Sequence, residues 1–379
     1  MKVLLFANTD WYLYNFRLGL AKFLRDNGFE VVMISPQGPY GPRLVAEGFR
    51  WIPLQMDRRS LNPWRELRLI AQIASILRAE KPALVHNFTI KCVVYGSLAA
   101  RWAGVQARVN AVTGLGYVFI GQDFRARLLR PIVGALLKLA FNGIAARLIV
   151  QNQDDSAAFV DAGLVLKDFV RLIKGSGVDT SRFYPRLEAR PAGSLRVLLA
   201  SRLLWDKGIG EYVEAARQIK RQGLAVEFLL AGDIDSGNPA SVSADDVESW
   251  RAAGIVRPLG HVEDMAVLLS DIDVMVLPSS YGEGVPRSLI EAAACGLPII
   301  TTDAPGCREI VEEGVNGYLV PVRDAHALAD AIRRLYANPA LRQSMGQAGR
   351  EKVLKEFDER IVFEKTLAVY RELLPKGAR

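Results

Sequence analysis

The sequence predicts an α/β protein built from two doubly wound domains, and three observations carry that expectation. Short β-branched apolar runs alternate with longer stretches in which apolar residues recur at helical spacing. The alternation lapses once, at RLEARPAGS (186–194), where Pro, Gly and charge take over, and then restarts. A chain of 379 residues also exceeds what one hydrophobic core holds, so two domains of roughly 190 residues each are expected.

The strands expected in the first half are KVLLFAN (2–8), EVVMIS (30–35), ALVHNF (83–88), ARVNAV (107–112) and RLIVQN (147–152). Between the first two, FRLGLAKFLRDNG has helical periodicity and stops at Asn27-Gly28. Strand, helix, strand in repetition argues for a parallel sheet covered by helices. The second half repeats the plan with RVLLAS (196–201), VEFLLAGD (226–233), DVMVLPS (273–279) and PIITTD (298–303), without a detectable internal repeat. We place one domain at 1–190 and the other at 191–357, with a C-terminal helix from about Asp358 that crosses back onto the first domain. Sheets of this kind bind ligands outside the carboxyl ends of their strands, at switch points. Two of them facing each other across a cleft suit two substrates.

Composition narrows the classes. Half the residues are hydrophobic and 23% are charged, as in a folded globular protein. The net charge of +7 points to an anionic partner, whether nucleic acid, phosphorylated metabolite or acidic lipid. Cys92, Cys295 and Cys307 lie far apart without a Cys-x-x-Cys, and only three histidines occur, so a disulfide framework, a structural zinc and a histidine metal site are not expected. MKVLLFANTDWY reads as a first strand rather than a signal core, and no run of 18 apolar residues occurs. The G-x-G-x-x-G fingerprint is missing, since GLG (114–116) and GSG (175–177) lack the third glycine, which disfavours NAD.

Two segments carry candidate chemistry. EGVPRSLIE (283–291) leaves the strand VMVLPS, with Pro286 suited to the first helical position and Gly296 and Pro298 ending the helix. Glu283 then lies on the loop and Glu291 inside the helix, with the free N–H groups around Val285 to Leu289 between them, a positive helix end matched to a phosphate. A nucleotide sugar laid along it would put Glu283 on sugar hydroxyls and Glu291 on ribose hydroxyls. The bland alternative is one loop carboxylate and one solvated helix carboxylate. In SRLLWDKG (201–208), Arg202 and Lys207 leave the first strand of the second domain, where two cations would neutralise a diphosphate leaving group. Alone, such a pair also reads as solvated surface charge.

Taken together these residues resemble family 4 of the retaining glycosyltransferases, which have the GT-B fold of two Rossmann-like domains. The pair Glu283/Glu291, the pair Arg202/Lys207, GSGVD (175–179), LAGD (230–233), LGH (259–261) and TDAPGCREIVEEGVNGYLVP (302–321) fall in that family's order. The resemblance implies that Glu283 meets the donor hexose, Glu291 the ribose, and Arg202 and Lys207 the diphosphate. It adds Gly232, His261, Gly284, Val285, Pro286, Ser288 and Leu289 to the donor side. It further implies transfer with retention, from a UDP-linked or other nucleotide-diphosphate sugar as co-substrate, without metal or other cofactor.

In the first domain, YNFRLGLAK (14–22), HNFTIKCVVYGSLAARWAG (86–104) and NAVTGLGYVF (110–119) are similar to bacterial enzymes that extend undecaprenyl-diphosphate-linked sugars, in the α-N-acetylgalactosaminyltransferase branch. The acceptor would then be a polyprenyl-diphosphate-linked saccharide, met by Asn15, Arg17, Lys91, Thr113 and Gly114. Many family members carry a histidine where this chain has Thr113-Gly114. His86 either takes that catalytic place or caps a strand.

FRARLLRPIVGALLKLAFNGIAAR (124–147) holds Arg125, Arg127, Arg130, Lys138 and Arg147 with no acid. Leu128, Leu129, Ile132, Val133, Leu136 and Ala140 are expected on one helical side, with Phe119 and Phe124 as interfacial anchors. Such a segment either lies on an anionic bilayer or packs its apolar side into the core. The location expected is cytoplasmic, peripheral on the inner face of the plasma membrane. Two other readings stand beside transfer: a nucleotide-sugar epimerase or phosphorylase of the same architecture, and a nucleic-acid-binding protein, against which no interleaving of basic residues with aromatics is seen.

Overall fold

The computed structural model describes residues 1–57, 62–112, 124–186, 193–235, 237–282 and 284–375, with only the backbone described at 124–129. Thr113, Gly114, Phe119 and Glu283, and the side chains of Phe124, Arg125, Arg127, Leu128 and Leu129, lie outside the described residues. The chain divides into two compact units, Met1–Ile173 with Arg360–Arg379, and Lys174–Glu359.

The first unit holds β1 (Lys2–Phe6), β2 (Glu30–Pro36), β3 (Arg50–Leu54), β4 (Leu84–Phe88), β5 (Ala107–Ala111), β6 (Ala146–Val150) and β7 (Val170–Leu172). They form one parallel sheet in the order β3-β2-β1-β4-β5-β6-β7. The second unit holds β8 (Leu195–Ala200), β9 (Val226–Ala231), β10 (Arg257–Gly260), β11 (Val274–Leu277), β12 (Ile299–Thr302) and β13 (Gly317–Val320). Their order, β10-β9-β8-β11-β12-β13, is also parallel throughout. Each sheet starts at its centre, winds to one edge, and returns to wind to the other. This is the Rossmann order, with switch points between β1 and β4 and between β8 and β11.

The strands read as continuous apolar runs because both faces are covered. Along β1, Val3 and Leu5 enter one core while Leu4 and Phe6 enter the other. Along β8, Val197 and Leu199 face one core, Leu198 and Ala200 the opposite one.

Contacts divide the chain after Ile173 rather than at 190. The reason is that the segment from 174 packs on the second unit. Val178 pairs with Asp358, its N–H donating to the Phe357 carbonyl at 3.0 Å, and Arg350 donates to the carbonyls of Phe183 and Thr180. The last helix, Glu359–Leu373, belongs to the first unit, where Val362, Phe363, Leu367 and Tyr370 fill the core under β1 and β4. Arg147 and Arg171 clamp its Glu372 at 2.8 and 2.6 Å.

The helix Phe124–Phe141 corrects the expected amphipathic side. Leu137, Ala140 and Phe141 are buried and Val133 and Leu136 half-buried against β6, but Ile132 points outward, 57% exposed, as do Ala135 and Leu139. Arg147 is not part of a basic face, being held by Glu372. Among the described residues no helix is long and apolar enough to cross a membrane.

Candidate active site

In the second unit the two chemistry-bearing segments flank its switch point. β8 runs into Ser201-Arg202 and then a 3-10 turn, Trp205–Lys207. β11 runs into the loop that leads to the helix Arg287–Ala294. The Ser280 N–H donates to the Asp206 carbonyl at 2.9 Å and the Ser279 hydroxyl to the same oxygen at 3.2 Å. These bonds stitch the loop after β8 to the loop after β11.

Two glycines make the close approach possible. Gly208 sits at φ +76°, and a Cβ there would lie 2.1 Å from the Pro278 carbonyl oxygen. Gly232, at φ +138°, would put a Cβ 1.8 Å from the Ser201 carbonyl oxygen, directly beside Arg202. Its N–H donates to the Gly260 carbonyl at 2.8 Å, tying the ends of β9 and β10. Gly232, expected on the donor side, therefore lies against the loop after β8 because it has no side chain.

Polar side chains cluster on the same edge. Arg202 pairs with Asp235 at 3.2 Å and is 63% exposed, and His261 pairs with Asp233 at 3.1 Å. At this exposure neither pair contributes much stability, and both can open for a ligand. Lys207 closes the 3-10 turn.

The segment after β11 differs from the expectation in detail. Pro286 is the N-cap, with extended ψ of 120°, rather than the first helical residue. Its carbonyl accepts from the N–H of Leu289 at 3.1 Å and of Ile290 at 3.3 Å, so Leu289's donor turns back into the helix. Gly284, Val285 and Pro286 are buried, Ser288 is half-buried, and the helix has no side-chain cap. Glu291 is not a solvated helix carboxylate: it is 9% exposed, and Arg287 Nε donates to its Oε1 at 2.8 Å. Burial pushes its carboxyl pKa up, opposed by the charges of Arg287 and Arg182. Sequence reasoning missed Arg287; its position four residues before Glu291 was the available signal.

In the first unit, Asn15 and Arg17 follow β1 in a π-helical turn, Leu13–Arg17, whose Asn15 amide donates to the Trp11 carbonyl at 3.0 Å. Arg17 is 6% exposed. It donates to the Tyr12 hydroxyl at 2.7 Å and stacks 4.3 Å over Phe88, while its Nε has no partner. Among the described residues no carboxylate pairs with it. Lys91 is engaged already, ion-paired with Glu66 at 3.1 Å and donating to the Asp57 carbonyl at 2.7 Å. An anion would have to displace Glu66 to reach it.

His86 takes the strand-packing alternative. It is 2% exposed in β4, its Nδ1 lies 2.7 Å from the Tyr370 hydroxyl, and its ring stacks 4.0 Å from Phe88. Burial, seconded by the charge of Arg17, drives its pKa well below the usual histidine value, so the ring stays neutral. The ring is closed to solvent on this core, with its Nε2 left without a hydrogen-bond partner. Among the described residues no three His, Cys, Asp or Glu side chains gather to hold a metal.

Residues 182–352 match the family described as Glycosyl transferases group 1, and residues 2–153 match Glycosyl transferase 4-like. The chain is 30% identical to N,N'-diacetylbacillosaminyl-diphospho-undecaprenol alpha-1,3-N-acetylgalactosaminyltransferase of Campylobacter jejuni, over 99% of each sequence. Among solved structures it is similar to a glycosyltransferase of Rickettsia africae, with a TM-score of 0.79 at 20% identity over 99% of each chain. It is also similar to sucrose-phosphate synthase of Thermosynechococcus elongatus, with a TM-score of 0.80 at 24% identity over 98% of this chain and 99% of the other.

Proposed function

The chain belongs to the GT-B glycosyltransferases, and from that premise we propose that it moves a hexose or N-acetylhexosamine from a nucleotide-diphosphate sugar to a polyprenyl-diphosphate-linked saccharide, with retention and without metal. The observation that carries the donor side is the stitched pair of loops at the β8/β11 switch point, which brings Arg202 and Lys207 to the same strand edge as the 284–291 segment. The relative from Campylobacter jejuni, named for an undecaprenyl-diphosphate acceptor, supports the acceptor class.

In this mechanism the bond from the anomeric carbon to the nucleotide's phosphate oxygen breaks as positive charge develops on the sugar ring. Arg202 and Lys207 take up the charge that gathers on the leaving diphosphate. An acceptor hydroxyl bonds to the anomeric carbon on the same face and passes its proton to the departing phosphate oxygen. Glu291 accepts from the ribose hydroxyls and Glu283 from the donor sugar. His86 has no step. In the first unit, Arg17 supports an anionic acceptor, because a buried guanidinium without a carboxylate is completed by an incoming diphosphate. The outward Ile132, Ala135 and Leu139, with Lys138 beside them, fit contact with a bilayer that carries such a lipid.

The test is a panel of labelled nucleotide sugars incubated with extracted bacterial membrane lipids, scoring label in an organic-soluble product. Transfer from one donor supports the reading. Absence of labelled lipid with every donor, alongside transfer to a water-soluble sugar, overturns the lipid acceptor.

A further inference from the structure

Arg287 stands where helix physics disfavours a cation. It is the first residue of the helix Arg287–Ala294, at the positive end of the helix dipole. Two other helices of the same unit open on acid, with Glu211 in one first turn and Asp245 and Asp246 in the other. Its ion pair with Glu291 also runs the weaker way round, cation before anion at four residues' spacing. Burial adds to the oddity: the two side chains are 24% and 11% exposed, and a buried ion pair is a poor device for stability. A local rule broken this way is expected at a site rather than in a scaffold.

We propose that Arg287 is the positioning residue of the donor site, holding Glu291 in one rotamer and in its ionised form so that the carboxylate can accept hydrogen bonds from a nucleotide's ribose hydroxyls. The inference rests on the donor-site reading above. Arg287 Nε donates to Oε1, and among the described residues no donor is seen on Oε2, which leaves that oxygen to the ligand. Without Arg287, the burial that already pushes this carboxyl pKa up would act with less opposition, and a protonated Glu291 accepts poorly from a diol.

The surroundings make the role readable by pH. The charged and titratable groups facing Glu291 are Arg287 on its own helix, Arg182 from the segment before β8, and Cys295 one turn on. From the packed helix Pro339–Glu356 comes Arg350, which donates to the Ala294 carbonyl at 2.9 Å. The Cys295 thiol is pushed up to about 12 by burial and the Glu291 charge. Glu291, whose carboxyl pKa burial raises, is therefore the group among these whose protonation the pH series follows.

The experiment measures the dissociation constant of UDP, and of GDP as a second probe, from pH 5 to 8 by calorimetry. It compares wild type, R287Q, R287K and E291Q, with folding checked by thermal melts. Ratios between variants cancel the titration of the probe's own terminal phosphate. For R287Q we expect binding about tenfold weaker than wild type near pH 5.5, narrowing to within about threefold at pH 8, that is, an acid limb moved to higher pH. R287K, keeping the charge, should return the wild-type limb, and E291Q should bind weakly with no limb of its own. If R287Q unfolds, R287M, which also removes the charge, takes its place, with the same limb above that of wild type expected and missing in E291Q. A constant ratio at every pH overturns the proposal, because it describes a direct phosphate contact or a general loss of structure. Failure of the wild type to bind either nucleotide overturns the donor-site reading itself.

Discussion

Replacing Gly208 by alanine tests the geometry that joins the two donor loops. Gly208 and Gly223 sit just before and just after the same helix, Ile209–Arg221, at φ +76° and +70°. An alanine at either incurs the left-handed strain of about 1–2 kcal/mol. Only at Gly208 does the new methyl meet anything: 2.1 Å from the Pro278 carbonyl oxygen, against nothing within 4 Å at Gly223. That contact must open by more than about 1 Å, for an overpacking cost of roughly 1–3 kcal/mol beyond the strain. G223A should therefore cost about 1–2 kcal/mol and G208A roughly 2–5, a large share of a stability of about 5–15 kcal/mol. Because the methyl wedges the Lys207 turn away from β11, G208A should also lose turnover, on the order of a hundredfold for a displacement of about 1 Å. Urea denaturation followed by circular dichroism gives the first quantity and kcat/KM for the nucleotide sugar the second. Equal destabilisation by the two alanines, with turnover intact in G208A, would refute both the close approach and the role of the turn.

Three further outcomes follow from buried polar groups. Glu291 has a folded-state pKa above its unfolded value, so the folded wild type takes up a proton first as pH falls and gains stability between neutral pH and about 4.5. E291Q lacks this linkage; its melting temperature relative to wild type should be highest near pH 7 and decline on acidification, whereas a gap independent of pH would sink the assignment. Tyr370→Phe removes the hydroxyl bonded to His86 and should cost about 0.5–1.5 kcal/mol in urea denaturation while leaving kcat/KM within about twofold; a large loss of turnover with stability unchanged would return His86 to the mechanism. Arg17→Gln should raise the KM for the lipid acceptor at least tenfold more than that for the nucleotide sugar, and equal effects on both would remove Arg17 from the acceptor site.

Much of the fold was legible because fully buried parallel strands announce themselves. KVLLF, LRVLLA and EVVMISP are apolar on both faces, and their spacing by helical stretches leaves few topologies. The strands that escaped are the four at the sheet edges: β3, which holds Pro53 and is half-exposed, β7, only three residues long, β10, the four residues RPLG, and β13, the four residues GYLV. The placement of Arg202, Gly232 and the 284–291 segment at strand ends beside a switch point was legible too, since that is where such sheets end their strands toward a ligand. What sequence alone could not supply was partnership. Lys91 looks like a spare cation until Glu66, 25 residues earlier, is found against it; His86 looks available until Tyr370, 284 residues later, closes over it.

Partnership also separates the two meanings of Glu291. As one end of an eight-residue spacing it is either a ribose acceptor or a solvated helix residue, and spacing cannot tell them apart. The observed carboxylate is neither free in water nor buried alone, for it is withdrawn from solvent and ion-paired with a neighbour four residues before it. A solvated glutamate needs no such neighbour, and a structural one would be better served by an apolar side chain of similar volume. The pairing fits the proposed ribose-binding role, in which a carboxylate meets a polar ligand in its ionised form at a place where water is largely excluded.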